Sequence, residues 1–296
     1  MRKWTAVLWT ILTLWVISSA SARAQEVHAR IQGTVTDASG GGVPGAEVKA
    51  TNAQTGVATT VTTEADGTFQ FLQLPVGQYD VSISKPGFRT FRANNILLVL
   101  NQVYDLNAAL QVGQVTESVQ VEGNPVQVET TTTQLGTVVD SQKIVDLPLL
   151  GRNWVSLEQL APGVVAGSDR FGVSQAFATN GSQAQQNSFL INGADSIDID
   201  LNTPLVIPSP DAIAEFNLID STINPEYGRN SGGILNAIIK SGTNQFHGTA
   251  FEFYRDTFLN AHNFFQVSKP VFHQNQFGGT VGGPIWRNHT FFFISY

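Results

Sequence analysis

In the first third of the chain, apolar and polar side chains alternate along short runs, which is the feature that most restricts the fold. Every second residue is apolar within Ala46–Thr51 and Tyr79–Ser84. A period of two places neighbouring side chains on opposite faces of a strand, so each run predicts a strand with one buried face. Turns such as Ser39–Gly45 and Lys85–Gly87 separate the runs, because Gly reaches positive φ and Pro fixes its own φ. About seven strands at this spacing predict a small β-sandwich over residues 27–112.

The composition favours a mainly β protein along the whole chain. Only 13% of the 296 residues are charged and 27 are glycines, a balance typical of many short strands joined by turns. The chain has no cysteine. It therefore forms no disulfide and carries no lipidated N-terminal cysteine, so packing must hold the fold together.

The N-terminus has the pattern of a secretory signal peptide over residues 1–24. Arg2 and Lys3 precede the apolar run Thr5–Ile17, and small residues follow. The run covers about 20 Å as a helix, which is too short to cross a hydrocarbon core of about 30 Å. Two A-x-A matches leave cleavage after Ala22 or after Ala24 open.

The charge of the exported chain argues against nucleic acid as a partner. Loss of Arg2, Lys3 and Arg23 with the signal peptide lowers the formal net charge from −7 to −10. An acidic chain without a basic run lacks the cations that neutralise phosphates.

A family resemblance supports the sandwich prediction. GTVTDASGGGVPGAEVKATNAQTG, followed by DGTFQFLQLPVGQYDVSISKPGF, resembles the carboxypeptidase regulatory-like domain, a transthyretin-like β-sandwich. The resemblance implies no catalysis, and it leaves a carbohydrate-binding role open. Phe88 and Phe91 are the aromatic residues that such a role would use, and packing inside the sandwich explains them equally well.

A polar linker is predicted over residues 113–125, and it contains one short alternating strand. An isolated strand has unpaired backbone groups that invite pairing with the sheet edge of another chain. This stretch resembles the TonB box, the extended segment by which outer-membrane receptors are captured by the periplasmic protein TonB. An ordinary edge strand of the sandwich, or of the domain that follows, explains the pattern equally well. The candidate residues are Thr116, Glu117, Ser118, Val119, Gln120 and Val121.

Residues 126–244 are predicted to form an α+β domain. Asn153 is placed to cap a helix from Trp154 to Leu160, which Pro162 and Gly163 end. The other predicted elements are a short helix at Ser141–Asp146 and strands within Phe189–Asp195, Pro210–Ile219 and Ile234–Lys240.

Five motifs follow one another in this domain and after it: LPLLGRNW, FLINGAD, AIAEFNLI, PEYGRNSGGILNAIIKSGTNQFHG and FGGTVGGPIWRNHTFFFISY. Their order resembles that of TonB-dependent receptors, in particular the Oar-like group with a regulatory-like sandwich ahead of the plug. Asn192 stands where the family often has Asp, a small departure in a turn. The resemblance implies an outer-membrane receptor whose plug moves when TonB pulls it.

Arg152, Glu226 and Arg229 are the charged residues inside the plug motifs. One hypothesis is that they hold the plug to the barrel wall as a latch. The other is local surface pairing, which contributes about 0–1 kcal/mol.

The sequence contains no complete catalytic or metal-binding motif among those searched. Asp195, Asp198 and Asp200 are candidates for calcium, and from Asp198 the spacing D-x-D-x-N begins like a calcium loop. Thr203 replaces the sixth-position glycine of that loop, however, and Ser209 replaces the twelfth-position glutamate. The chain also has no nucleophile elbow, zinc-protease or phosphate-loop motif. We therefore expect neither an enzyme nor a cofactor.

The aromatic run after Asn244 predicts the first strand of an outer-membrane β-barrel, at Phe246–Arg255. In this prediction Phe251 and Phe253 face lipid, whereas Glu252 and Tyr254 face the lumen. Residues 245–296 would then be the start of the barrel, with further strands at Phe277–Gly283 and Thr290–Tyr296.

A membrane barrel needs at least about eight strands to close, and this sequence has only about three candidate strands. We therefore expect the sequence to be part of a longer receptor or a truncated product. Specificity would lie mostly in other barrel loops, and the ligand, a glycan or a peptide among the candidates, is not readable. The alternative function is an exported carbohydrate- or protein-binding module without transport.

Overall fold

The computed structural model describes most of the chain. The predicted signal peptide lies outside the described residues, as do Thr116, Glu117, Glu226 and Arg229. The described residues are 28–113, 118–122, 135–167, 177–221, 223, 227–228, 230–262, 264–265 and 267–296.

Two sheets pack face to face as an N-terminal sandwich. The first sheet contains β1 (Ala29–Thr36), β4 (Thr68–Leu74), β7 (Val103–Asp105) and β8 (Ala108–Ala109). In this sheet β1 lies between β4 and β7 and also pairs with β8. The other sheet contains β2 (Glu47–Asn52), β3 (Ala58–Thr62), β5 (Gly77–Ser84), β6 (Thr90–Leu98) and β9 (Ser118–Glu122), in the order β3-β2-β5-β6-β9.

The core of the sandwich follows the alternation of the sequence. Tyr79, Val81 and Ile83 of β5 are buried, whereas the residues between them are exposed or half-buried. Burial of each such apolar side chain contributes roughly 1.5–3 kcal/mol. Phe91 belongs to the same core and Phe88 packs against it, which favours the packing explanation for both aromatic residues.

After the sandwich, a five-stranded sheet, here called the central sheet, contains β10 (Leu135–Asp140), β13 (Ser188–Ile191), β14 (Ala194–Asp195), β15 (Ile213–Ser221) and β16 (Ile234–Ile239). Its strand order is β10-β15-β16-β13-β14. A separate pair, β11 (Val164–Ala166) and β12 (Phe177–Thr179), contributes Val164 and Phe177 to the same core.

Short helical elements cover the central sheet. Helix α1 (Ser141–Asp146) buries Ile144, and the 3-10 helix Trp154–Leu160 places the Trp154 ring 5.3 Å from the ring of Phe216. The remaining 3-10 turns are Leu150–Arg152, Ala184–Gln186 and Pro210–Ala212.

These elements confirm the predicted helix at Ser141–Asp146 and the predicted strands of this domain. The Asn153 cap is also confirmed, since its Oδ1 accepts from the N–H of Val155, but the helix it begins is of the 3-10 type. Among the described residues, no helix is long and apolar enough to cross a membrane.

Three antiparallel strands, β17 (His247–Asp256), β18 (His273–Trp286) and β19 (Thr290–Ser295), form the terminal sheet in the order β17-β18-β19. A long connection, Thr257–Phe272, joins the first two strands, and a short turn, Arg287–His289, joins the last two. The predicted strands are thereby confirmed, and the middle one is longer than expected.

Candidate coupling and latch sites

Arg152 lies at the end of the 3-10 turn Leu150–Arg152, in a backbone conformation that is unusual for its side chain. Its φ is +56° and that of Gly151 is +70°. This turn aims the Arg152 guanidinium at the carboxylate of Asp211, and the two side chains are paired while only 9% and 8% exposed. The ion pair is therefore buried, unlike the surface pairs considered as its alternative.

Lys240 adds a third charge near Asp211. Burial lowers the pKa of Lys240, and the charge of Asp211 acts in the opposite direction. Its backbone N–H also donates to the carbonyl of Ala212 at 2.8 Å, which ties the end of β16 to the turn that carries Asp211. Asp211 thus pairs with Arg152 and also influences the charge of Lys240.

Arg152 also contacts the terminal sheet. Its Cζ lies 4.2 Å from the ring centroids of both Phe251 and Phe253 in β17. A guanidinium within about 6 Å of an aromatic ring is attracted by the ring's electron-rich face. Arg152 therefore joins the turns beside the central sheet to the first strand of the terminal sheet.

The predicted lipid-facing orientation of Phe251 and Phe253 is wrong. Both rings face Arg152. The opposite strand has a glycine, Gly278, beside Phe251, and a Cβ at that position would lie only 2.7 Å from the Phe251 Cζ, so the absence of a side chain leaves room for the ring. The attraction of Arg152 and the space beside Gly278 together explain why the two rings lie on this face of the sheet and not on the predicted one.

Other apolar residues cover the opposite face of the terminal sheet. Val281 and Ile294 are paired across β18 and β19, and Phe277 lies on the same face of β18 because side chains alternate along a strand. These three side chains are 44%, 59% and 64% exposed. These side chains form an exposed apolar face, whereas the sequence had predicted this face on the side of Phe251 and Phe253.

The latch residues predicted from the sequence are brought together only in part. Arg152 contacts Asp211, Phe251 and Phe253, and its role as a latch stays a prediction, whereas Glu226 and Arg229 lie outside the described residues. Sequence reasoning missed Asp211. Its signal is the run Ser209-Pro210-Asp211, a 3-10 turn with an acidic residue just before a buried strand.

The candidate TonB-box strand is the edge strand of the sandwich. Ser118, Val119, Gln120 and Val121 belong to β9, whose backbone pairs in parallel with β6 from Thr90–Ser118 to Asn94–Glu122. No other strand of the described residues pairs with β9. One of its edges therefore carries sandwich hydrogen bonds, and capture by TonB stays a prediction.

The sandwich contacts the central sheet at the turn that follows β6. The backbone N–H of Leu100 donates to Oε1 of Glu215 in β15 at 2.6 Å. Asn101 Nδ2 donates to the Tyr227 hydroxyl at 3.4 Å. Burial raises the pKa of Glu215 to about 7, with the Leu100 N–H lowering it and the charge of Asp140, paired with Glu215 across the strands, raising it further.

Glu158 is a second buried carboxyl group, in the 3-10 helix Trp154–Leu160. It is 3% exposed, and Oε2 has no hydrogen-bond partner among the described residues. Burial raises the pKa of Glu158 to about 10, so the group is a neutral acid at neutral pH.

A buried asparagine explains the glycines that precede β16. Asn187 is fully buried, its Nδ2 donates to the carbonyl of Phe177 at 2.5 Å, and its Oδ1 accepts from the N–H of Gly233 at 2.9 Å. A Cβ at Gly232 would lie 2.6 Å from that Oδ1. The Ser-Gly-Gly run therefore lets the backbone approach an amide that links three segments of this domain.

Asp198, one of the three carboxylates considered for calcium, caps the local backbone. Oδ1 of Asp198 accepts from the N–H groups of Asp200 and Leu201, at 2.9 and 3.1 Å. In the part of the chain that the structure describes, no three His, Cys, Asp or Glu side chains are grouped as metal ligands.

Comparison with known proteins identifies the family. Residues 30–111 match the family described as the carboxypeptidase regulatory-like domain, and residues 238–296 match the outer membrane beta barrel domain. Over 253 residues, or 80% of the chain, the sequence is 30% identical to the TonB-dependent transporter Oar of Myxococcus xanthus. The chain is an Oar-like relative of the TonB-dependent outer-membrane receptors. This confirms the resemblance on which the sequence prediction rested.

The Oar-like chain spans 23% of the length of the Myxococcus protein. It is a mainly β outer-membrane protein, with a regulatory-like sandwich and strands of the barrel family. Among solved structures, the siderophore receptor PirA of Acinetobacter baumannii is 21% identical with a TM-score of 0.40, covering 51% of this chain and 22% of that one. A putative carbohydrate binding protein of Bacteroides uniformis is 18% identical with a TM-score of 0.25, covering 28% and 41%.

Proposed function

We propose that the Oar-like chain carries the sandwich, the coupling segment, the plug and the first barrel strands of a TonB-dependent receptor that takes up a ligand across the outer membrane. In this proposal residues 1–24 are the signal peptide, 27–112 the sandwich, 113–125 the coupling segment, 126–244 the plug, and 245–296 the start of the barrel. The ligand is unidentified, with a glycan and a peptide among the candidates, and the energy comes from TonB in the periplasm.

The contact of Arg152 with Asp211, Phe251 and Phe253 carries the proposal. It attaches the domain that would be the plug to the first strand of the matched barrel family. A plug that moves during transport needs contacts with the wall that hold it at rest and break under load. One arginine that pairs with an acid on the plug and stacks on two rings of the wall meets both requirements.

The position of β9 supports coupling by strand addition. An edge strand offers backbone N–H and C=O groups to another chain, and TonB would capture it in this way. Lipid would cover the apolar face around Phe277, Val281 and Ile294.

A binding module without transport is less well supported. Phe91 is 8% exposed and Phe88 is packed against the same core, so neither offers an open ring for a sugar to stack on. The Myxococcus relative is described as a transporter.

The coupling step can be tested without the ligand. The purified full-length receptor, in detergent micelles, is titrated with the periplasmic domain of TonB by biolayer interferometry. Val119→Pro and Val121→Pro remove one N–H each and should weaken binding at least tenfold. Val119→Thr and Val121→Thr keep the N–H and the β-branched shape, and should bind as the parent does. Equal affinity of the proline and threonine variants would show that this strand is not the coupling segment.

A further inference from the structure

β18 is longer than a strand needs to be in order to cross a membrane. It has 14 residues, His273–Trp286. A strand of a membrane barrel is tilted and crosses the hydrocarbon with about 9–11 residues. About three to five residues of β18 therefore lie outside the hydrocarbon. The face that carries Phe277, Val281 and Ile294 is here called the outward face, because Arg152 lies against the other one.

The end of β18 beside the long connection is polar on the outward face. His273 and Asn275 lie on this face with Asp256 and Tyr254, their partners in β17. Oδ2 of Asp256 accepts from the Tyr254 hydroxyl at 2.8 Å and lies 2.6 Å from Nδ1 of His273. The side chains of His273 and Tyr254 are exposed. Hydrocarbon cannot hydrate these groups, so this end of the strand fits water or lipid headgroups.

Glu252 marks the place where the polar part of the outward face ends. It pairs with Phe277 across the strands, and Asn275 Nδ2 donates to its Oε1 at 3.4 Å. Its carboxylate is therefore turned toward the polar end. A charged side chain on the lipid-facing side of a barrel is more destabilising the deeper it lies, so this carboxylate belongs near the surface of the hydrocarbon. The change from polar to apolar side chains falls between Asn275 and Phe277.

From Phe277 to the short turn, the outward face is apolar and, among the described residues of the three strands, carries no charged side chain. Val281 and Ile294 follow Phe277 and are exposed. Phe246 lies over Gly283, where a Cβ would be 2.4 Å from Cδ1 of that ring. The Phe246 ring is exposed as well. Lipid is the cover that suits this part of a barrel wall.

An aromatic pair stands at the other end of this apolar part. The exposed Trp286 ring stacks on His289 in the short turn, with ring centroids 5.2 Å apart. Trp side chains are enriched where hydrocarbon meets water. Of the 14 residues of β18, Phe277–Trp286 accounts for ten and His273–Gln276 for the other four. The apolar part therefore has the length that a crossing strand needs, and the polar part has the length of the excess.

We propose that the hydrocarbon of the outer membrane covers the outward face from Phe277 to the short turn, with its boundary between Phe277 and Asn275. His273–Gln276 and the long connection then lie in the headgroup layer and in water. The exposed rings of Phe264 and Phe265 in that connection are consequently outside the lipid. The inference rests on the proposed barrel, and it adds the depth at which the barrel wall lies in the bilayer.

The sequence permits a direct test, because residues 1–296 contain no cysteine. Asn275→Cys, Phe277→Cys and Val281→Cys are made one at a time in the full-length receptor, with any cysteine outside these residues replaced by serine. Each variant is placed in phosphatidylcholine nanodiscs, which leave both faces of the bilayer open. Its reaction with a charged maleimide is followed by mass spectrometry. Only the thiolate reacts, and hydrocarbon excludes both the thiolate and the reagent.

We expect Asn275→Cys to react within about threefold of Leu72→Cys, a control at an exposed strand residue of the sandwich, and Phe277→Cys and Val281→Cys to react at least tenfold more slowly. All four replaced side chains are exposed in the structure, so none of them supports the fold. Slow reaction of Asn275→Cys, or fast reaction of Phe277→Cys beside slow reaction of Val281→Cys, would move the boundary and overturn the inference while the barrel stands. Fast reaction at all three positions would show that lipid does not cover this face, and the proposed barrel itself would be wrong.

Discussion

Removal of Arg152 should destabilise the central domain by more than any surface ion pair could explain. Arg152→Ala leaves Asp211 buried without its main cation, and breaking a buried pair in this way costs about 3–5 kcal/mol. The loss of two cation–π contacts adds about 0.5–1 kcal/mol each. Lys240 lies close enough to Asp211 to offset part of the cost. We therefore expect a net loss of about 3 kcal/mol in the free energy of unfolding.

Two further variants separate the contributions at this site. Arg152→Gly should be about 1 kcal/mol less destabilised than Arg152→Ala, because glycine adopts a φ of +56° without strain. The double variant Arg152→Ala/Asp211→Ala leaves no unpaired carboxylate, so it should recover to within about 1–2 kcal/mol of the parent.

Urea unfolding of residues 25–296 in detergent micelles, followed by tryptophan fluorescence, measures these differences. Only Trp154 and Trp286 lie after residue 24, so the variants are made in a Trp286→Phe background. Trp154 then reports on the domain alone, since it is 3% exposed and packed against Phe216. A double variant as unstable as Arg152→Ala would show that the buried charge is not the cause, and the reasoning would fail.

Three other perturbations have defined outcomes. Burial raises the pKa of Glu215 from 4.5 to about 7, so its contribution to stability is complete below pH 4.5 and is lost as the pH rises to 7. The free energy of unfolding, measured with urea, should therefore fall by at most about 3 kcal/mol over this window. Glu215→Gln should remove this pH dependence. Glu158→Gln should match the parent within about 1 kcal/mol at pH 5 and exceed it at pH 9, because the parent must keep a proton that the unfolded chain has released; equal midpoints at pH 9 would contradict this. A chain ending at Asn244 should elute as a monomer from size exclusion without detergent, whereas residues 25–296 should aggregate through the face that carries Phe277 and Ile294; a monomeric longer chain would contradict this.

Strands and turns were predictable because their causes are local. Alternation places Val81 and Ile83 on one face whatever the rest of the molecule does, and Asn153 caps its helix with its own side chain. These signals need no knowledge of distant residues. The helix type at Trp154–Leu160 was not predictable, because 3-10 and α turns share the same cap.

Of the candidate site, the sequence predicted Arg152 but not the residues that Arg152 contacts. Arg152 was identified from its motif, but its anion Asp211 lies 59 positions away and resembles any acid in a turn. The orientation of Phe251 was predicted wrongly for the same reason. A period of two fixes which residues share a face, while the choice of face depended on a cation from another part of the chain.

The pairing of β9 with β6 makes resistance to force depend on direction. Their register runs through five residue pairs, from Thr90–Ser118 to Asn94–Glu122, and both strands point the same way. Tension along the strand axis shears this ladder and loads its hydrogen bonds together. Tension across the axis peels the ladder and breaks the bonds one after another. The same few bonds therefore withstand a large axial load and yield to a small transverse one, so the angle of a pull on this segment decides whether the strand is released or the whole sandwich is dragged with it.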